Sequence, residues 1–383
     1  MEAIVDIARF FINPVFYIAL LIAVLLGYLR VKKERKVFRT RILPGGTELA
    51  ELIKGGLKMG LFFSILIIAL GLTVPIEWLV ALSIASLLMM ISGFYRIGSF
   101  VYMSLAAVAL GWLFRTNDWS VSLFAVDYNG YYVAWEWLFP VALITAAFLY
   151  GEGKLIGKYG AEAASPRLNQ SSRGLPAVSY EAKRLWLIPV LLLVPGELIE
   201  SFAPYWPQLP IGESSFSLIL FPVVLGFQSR SRHTLPVYLY PRIGKAVKTL
   251  GVMMAVLALA SILWGPAAFV ALIFGVVSRL AVSLYFAAGE RRGVFAVTPQ
   301  PEGVMIADVL PGSPAAKMGL AKGEVIKKVN GLTVSNESEL YEAIQVNAAH
   351  CRLEVLDHNR EVRLRQHVIF RHDHHRLGLV VVN

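Results

Sequence analysis

Up to about residue 289 the chain alternates long apolar runs with short polar segments, and beyond it the pattern changes to short alternating stretches rich in turn residues. A helix that crosses a bilayer needs about 20 mostly apolar residues. Runs of that kind lie near 12–29, 58–75, 78–95, 98–114, 131–150, 185–201, 215–228, 247–264 and 266–287. The pattern predicts a multi-pass α-helical membrane domain over 1–289 with about nine spans, followed by an α/β domain over 290–383. Between the fourth and fifth runs, the aromatic stretch Trp119–Tyr132 reads as interfacial. Gly46–Gly60 has Leu49, Leu52, Ile53 and Leu57 at helical spacing. It reads as the polar start of the second span in preference to a helix lying on the membrane face. Ala161–Val178, rich in Ser, Pro, Asn and Gln, has the composition of a flexible linker.

In the C-terminal part, Val304–Val309, Glu324–Val329, Arg352–Leu356, Glu361–Val368 and Leu377–Val382 alternate as strands. Gly293–Val297 is read as a further strand. Pro311-Gly312-Ser313-Pro314 is turn chemistry leading into a short helix, Ala315–Leu320. Asn330-Gly331 is a hairpin signal, because both central residues of a type I′ turn need positive φ. Asn336-x-x-Glu339 has the spacing of a capping box and opens a helix to Val346 whose apolar face is Leu340, Ala343 and Ile344.

Composition agrees with the membrane reading: 56% of the 383 residues are apolar and only 16% charged, with a mean hydropathy of +0.61. A single cysteine, Cys351, rules out an intrachain disulfide framework. The net charge of +10 is distributed beside the apolar runs, where basic residues set topology, and so does not point to nucleic acid. The segment Arg30–Arg41 holds seven basic residues against Glu34, Gly151–Arg184 six against three acidic, and Ser229–Lys248 five against none. The positive-inside bias puts these three segments in the cytosol, and nine spans then put the N-terminus outside and the C-terminal domain inside. The first apolar run precedes its basic cluster and no A-x-A-like site follows, so it reads as an uncleaved anchor.

Ionisable residues within apolar spans are functional candidates by default. Arg96 and Glu197 fall at span ends; Glu136 and Arg279 fall inside spans and are the candidate membrane-buried charges. Arg279 is expected to snorkel or to sit in a structural ion pair. A transport role would require Arg279 and Glu136 to face one polar cavity. Proteolytic motifs are missing: there is no H-E-x-x-H and no G-x-S-x-G, and the only histidine before residue 290 is His233. The expectation is that the chain is no enzyme, with no catalytic residues, no cofactor and no metal. The cluster His372-Asp373-His374-His375 reads as a polar turn.

The order strand, Gly-Ser-Pro turn, short helix, strand, Asn-Gly over Gly303–Gly331 resembles a PDZ domain, a module that adds an extended peptide to a sheet edge. It is most similar to the bacterial variant whose peptide-binding strand comes first and whose closing strand comes last. That resemblance puts a peptide groove between Val294–Val297 and the helix Asn336–Val346. Its candidate residues are Arg292, Gly293, Val294, Phe295, Val297, Leu340 and Ile344. Gly293-Val294-Phe295 matches the family's Gly-Leu-Gly-Phe carboxylate loop only in part.

The N-terminal NPVFYIALLIAVLLGYLRVKKERKVFRTRI, with its Phe38-Arg39-Thr40-Arg41 cluster, and the terminal HDHHRLGLVVV together resemble the MinJ family of cell-division factors. The resemblance covers the whole chain and implies a non-catalytic adaptor in division-site selection. Its implied partners are a DivIVA-type coiled-coil scaffold and the MinC/MinD division inhibitor, besides membrane lipids. Its implied location is the cell membrane, enriched at the septum and poles, with the C-terminal domain in the cytosol. The competing readings are a PDZ-containing membrane protein that assists an envelope protease, and a transporter.

Overall fold

The computed structural model describes residues 10–123, 126–128, 135–162, 164–171, 173–200, 215–347, 350–368 and 377–382. Among the described residues, the α-helices of eight residues or more before the C-terminal sheet are α1 Pro14–Phe38, α2 Thr47–Lys54, α3 Gly56–Leu70, α4 Ile76–Ser92, α5 Phe100–Thr116, α6 Trp135–Tyr159, α7 Pro236–Leu259 and α8 Ala267–Arg292. Helix α1 starts where Asn13 Oδ1 accepts the Val15 N–H at 3.0 Å, with Pro14 in the first turn, where its missing donor costs nothing. Among the described residues, five helical stretches are long and apolar enough to cross a membrane: Pro14–Phe38, Thr47–Leu70, Trp137–Tyr159, Pro236–Ile262 and Ala267–Arg292. The second joins α2 and α3, so Gly46–Gly60 leads into an apolar span. Helices α4 and α5 are apolar but have 17 residues each.

Two expected spans are not helices. Residues 185–200 and 215–228 lie in a long antiparallel hairpin, β4 Pro176–Glu200 and β5 Ser215–Ser231. The nine-span expectation fails here, because hydropathy does not distinguish a spanning helix from a strand buried on both faces. The signals against helix were Pro189, Pro195 and Pro222, since proline inside a helix removes a hydrogen bond and clashes with the preceding turn.

A strand pair among apolar helices must satisfy its outer edges. On β4 the Leu191 N–H donates outward to Ser64 Oγ at 2.9 Å, and the Leu193 carbonyl accepts from Val74 N at 3.0 Å. On β5 the Gly226 N–H donates outward to the Gly98 carbonyl at 2.8 Å. Pro189 and Pro195 share the parity of Leu191, and Pro222 that of Gly226, so each proline's missing donor falls on an outer edge. Helix α3 fits this edge with a stripe of small residues, Gly56, Gly60 and Ser64. A Cβ on Gly60 would come within 2.0 Å of the Pro189 carbonyl oxygen. Four residues of helix rise about 6 Å and two of strand about 6.6 Å, so the stripe keeps step with Leu187, Pro189 and Leu191.

The expected linker is also ordered. Ser165–Gln170 forms β3, paired with β4 from Ser165 opposite Glu181 to Gln170 opposite Pro176. Within Trp119–Tyr132, β1 Val121–Leu123 pairs with β2 Val126–Tyr128.

The C-terminal sheet contains β6 Val304–Val309, β7 Val325–Val329, β8 Leu332–Thr333, β9 Cys351–Leu356, β10 Val362–His367 and β11 Leu379–Val382. Its order is β10-β9-β7-β6-β11, with β8 on β7. Asn330 and Gly331, at φ 51° and 88°, make the β7–β8 turn. Two helices accompany the sheet, α9 Pro314–Lys317 and α10 Glu337–Val346. The expected cap is made by Asn336, whose Oδ1 accepts from Glu339 N at 2.9 Å, while Glu339 Oε2 reaches back one residue beyond a capping box and accepts from Ser335 N at 2.7 Å.

Strand β6 is apolar on both faces. Val304 and Ile306 enter a core with Leu340, Ala343, Ile344, Leu353, Leu377 and Leu379. Met305 and Ala307, with Val380 and Val382, instead join the core of the helix-and-hairpin block beside Val178 and Tyr180. The sheet is therefore seated on the base of the hairpin.

Candidate functional site

The candidate site is the edge of this sheet. The expected peptide strand, residues 294–297, is not in the sheet. Gly293 follows directly on α8, which ends at Arg292. The residues after it are tied to the block: Ala296 N donates to the Arg232 carbonyl at 2.9 Å, and Val178 N donates to the Val297 carbonyl at 2.9 Å. His233 Nδ1 lies 2.9 Å from the Val294 carbonyl oxygen. Phe295 is buried beneath the Arg232 guanidinium, 4.1 Å from its ring centre. Val297 is fully buried, whereas the Val294 side chain is 77% exposed. This segment is a strap between helix and sheet. Arg292, Gly293, Val294, Phe295 and Val297 are thus separated from Leu340 and Ile344, which lie in the core of the sheet and α10. The reading failed because a short apolar stretch looks the same whether it pairs in a sheet or crosses a junction.

The strand next to β6 is instead β11, the last in the chain. It is an edge strand: β6 pairs with one side, and among the described residues no strand pairs with the other. Leu377-Gly378-Leu379 leads into it. Gly378 has φ 81°, a conformation that glycine adopts without strain. Its carbonyl accepts from Leu310 N at 2.8 Å, and the Leu377 carbonyl accepts from Ala315 N at 3.0 Å, which pins the entrance of β11 to the start of α9. Leu379 points into the same core as Leu340 and Ile344. The signal was present in the sequence as the apolar-Gly-apolar step Leu377-Gly378-Leu379 before three valines, at the end of the domain instead of its start.

The other edge, β10, differs. Its sequence VRLRQH carries Arg363 and Arg365, the kind of charge that blunts an edge against pairing, whereas LVVV in β11 carries none. Helix α10 is held beside the sheet by Asn330, whose Nδ2 donates to the Ala343 carbonyl at 2.9 Å and whose Oδ1 accepts from Arg352 N at 2.9 Å. Burial pushes the Cys351 thiol up to about 11, so this cysteine is a packing residue. Burial also raises the Asp308 carboxyl, opposed by the Lys322 ammonium 2.8 Å away.

Within the helical block, Arg279 is 4% and its partner Glu152 0% exposed, with Nε and Nη2 at 3.0 and 2.8 Å from Glu152 Oε1. Ser99 donates to the other oxygen of Glu152, and Arg279 Nη1 donates to Ser283 Oγ at 2.5 Å. Arg279 is thus ion-paired with Glu152. Its acid was missed because α6 continues to Tyr159, past the end of the apolar run, so that Glu152 was counted in a loop. The side chains of Glu136 and Glu197, and the run His372–His375, lie outside the described residues. Among the described residues no group of three or more His, Cys, Asp or Glu is arranged to hold a metal.

The PDZ domain family profile matches residues 305–357, which run from β6 through the end of β9. The chain is 31% identical over 383 residues to the cell division topological determinant MinJ of Bacillus subtilis (strain 168), covering 100% of this chain and 95% of that protein. It is 26% identical over 382 residues to the probable cell division topological determinant MinJ of Lacticaseibacillus paracasei, covering 97% of this chain and 96% of the relative. No solved structure matches the chain. With a PDZ domain at one end, several membrane-type helices before it and similarity along its whole length, the chain belongs to the MinJ family of cell division topological determinants.

Proposed function

We propose that this protein is a non-catalytic membrane adaptor in division-site selection that takes an extended peptide segment of a partner along β11. The observation that carries this reading is the unpaired edge of β11, free of charge and entered through Leu377-Gly378-Leu379. The proposed groove lies between β11 and α10 and is backed by the apolar core that Leu379, Leu340 and Ile344 share. The partners that the family resemblance supports are a DivIVA-type scaffold and the MinC/MinD inhibitor, which the protein bridges. The chain divides into a membrane domain to about residue 289 and a PDZ-like domain over 290–383. Removing the hairpin from the span count takes away two crossings, so the parity remains odd. The basic segments then still favour a cytosolic PDZ-like domain.

The test uses a fluorescent fusion of the full chain in rod-shaped cells, carrying a photo-crosslinking residue at Val381. Enrichment at septa and poles, with crosslinks from Val381 to the scaffold or to MinD and none from Val362 on β10, is expected. Uniform membrane fluorescence from the intact protein would sink the division reading. Septal enrichment with partner crosslinks from Val362 alone would move the peptide site off β11.

A further inference from the structure

A cavity of about 830 Å³ lies where α8, the base of the β4–β5 hairpin and the short turn at Arg96 meet. That is the size range of small-molecule sites. Five arginines line it: Arg96, Arg230, Arg232, Arg279 and Arg291. The charge of Arg279 is answered by Glu152. The one carboxylate in the lining, Glu290, is already engaged, because its Oε2 accepts the backbone N–H groups of Arg232, His233 and Thr234 at 2.7, 2.7 and 3.1 Å. Arg232 Nε is buried with no hydrogen-bond partner. Arg96 and Arg291 are exposed and carry no ion pair among the described residues. Arg230 is also exposed and lies near Glu181. The cavity therefore holds an excess of positive charge around an unsatisfied donor.

Its other wall is apolar. Leu280, Leu284 and Phe286 of α8 line it, and Leu280 and Leu284 continue onto the outer face of a helix long and apolar enough to cross a membrane. An anion with a hydrocarbon tail fits both halves, its phosphate among the arginines and its chain along Leu280 and Leu284. Neither free phosphate nor an acidic peptide uses the apolar wall.

We propose that this cavity binds the headgroup of an anionic phospholipid. Arg230, Arg232 and Arg291 contact the phosphate, while Arg279 shapes the wall from within its ion pair. The site rests only on the chain being a membrane protein. Binding is measured without any protein partner, so its failure is distinguishable from failure of the adaptor reading.

The experiment titrates the purified full-length protein, in neutral detergent, with phosphatidylglycerol, and counts retained lipid by native mass spectrometry. Phosphatidylcholine, inorganic phosphate and glycerol 3-phosphate are the comparison probes. Phosphatidylglycerol is expected to bind in preference to phosphatidylcholine, with neither small anion displacing it. R291Q should weaken binding about fivefold and R230Q/R291Q about thirtyfold, while R352Q on β9 leaves it unchanged. Arg291 is exposed and unpaired, so R291Q should keep the wild-type unfolding midpoint, and it decides alone if the double variant does not fold. Equal binding of the two lipids, full displacement by inorganic phosphate, or an equal loss in R352Q would overturn the proposal.

Discussion

At the scale of single residues, Arg279 and Glu152 carry the clearest energetic consequence. Two opposite charges removed from water gain little over an apolar pair of the same volume, but one left alone is costly. E152A should therefore lower stability by about 3–5 kcal/mol, because Arg279 is left buried without its acid. The double variant E152L/R279L should recover most of that loss. Unfolding midpoints of the purified chain in detergent form the cycle, and equal midpoints for E152A and wild type would refute a coupled pair. A second buried network has the same logic: Arg30 Nη1 donates to Glu34 at 2.9 Å, its Nη2 donates to the Pro44 carbonyl at 2.8 Å, and Glu34 accepts from Ile42 N at 2.9 Å. Arg30 and Glu34 looked from sequence like part of a free basic segment. How these charges are satisfied depends on residues outside the segment: Glu48 pairs with Arg30, and the Ser165 hydroxyl donates to Glu34.

At the scale of elements, the β4–β5 hairpin is where the apolar pattern misled. Its run from Leu185 to Val194 is as hydrophobic as a spanning helix, and only the proline positions spoke against one. What makes the hairpin viable is the neighbouring helix. Gly56 and Gly60 let α3 approach the strand backbone, and Ser64 satisfies an edge donor. G60L should force α3 and β4 apart, since no side chain fits against the Pro189 carbonyl, at a cost of about 1–3 kcal/mol. L61A, on the exposed side of the same helix, should stay within about 0.5 kcal/mol of wild type. Thermal midpoints check both, and a larger loss for L61A than for G60L would refute the close-packed edge. By contrast, apart from the misread strand at 293–297 and the short β8, the elements of the C-terminal domain were legible, because their turns and caps are set locally by Asn330-Gly331, Ser313-Pro314 and Asn336-x-x-Glu339.

At the scale of the whole molecule, the PDZ sheet is seated on the hairpin base. The Tyr180 hydroxyl donates to the Ala307 carbonyl at 2.6 Å, and Lys322 reaches both Asp308 and the Ala164 carbonyl, the latter at 3.2 Å. Y180F should remove about 1 kcal/mol from this docking and leave the Ala307 carbonyl buried without its donor. Hydrogen exchange at β6 and proteolysis of residues 298–303, between the strap and β6, should both quicken in Y180F, with the helical block unaffected. Unchanged exchange at β6 would mean that the two parts are held together by other contacts. This seating buries Val380 and Val382, and among the described residues no strand pairs with the outer edge of β11.

The sequence by itself determined what depends on near neighbours and composition: apolar helices in the first part, the strands, turns and caps of a PDZ domain in the last, and the scarcity of catalytic motifs. Tertiary structure alone decided that two apolar runs pair as a hairpin, that Arg279 meets Glu152, and that the strap 294–297 crosses a junction while β11 takes the sheet edge. The physical reason is range. Hydropathy and turn chemistry act over a few residues, whereas strand pairing and burial of charge are set by partners distant in the chain, as Val381 is from Ile306 and Glu152 from Arg279.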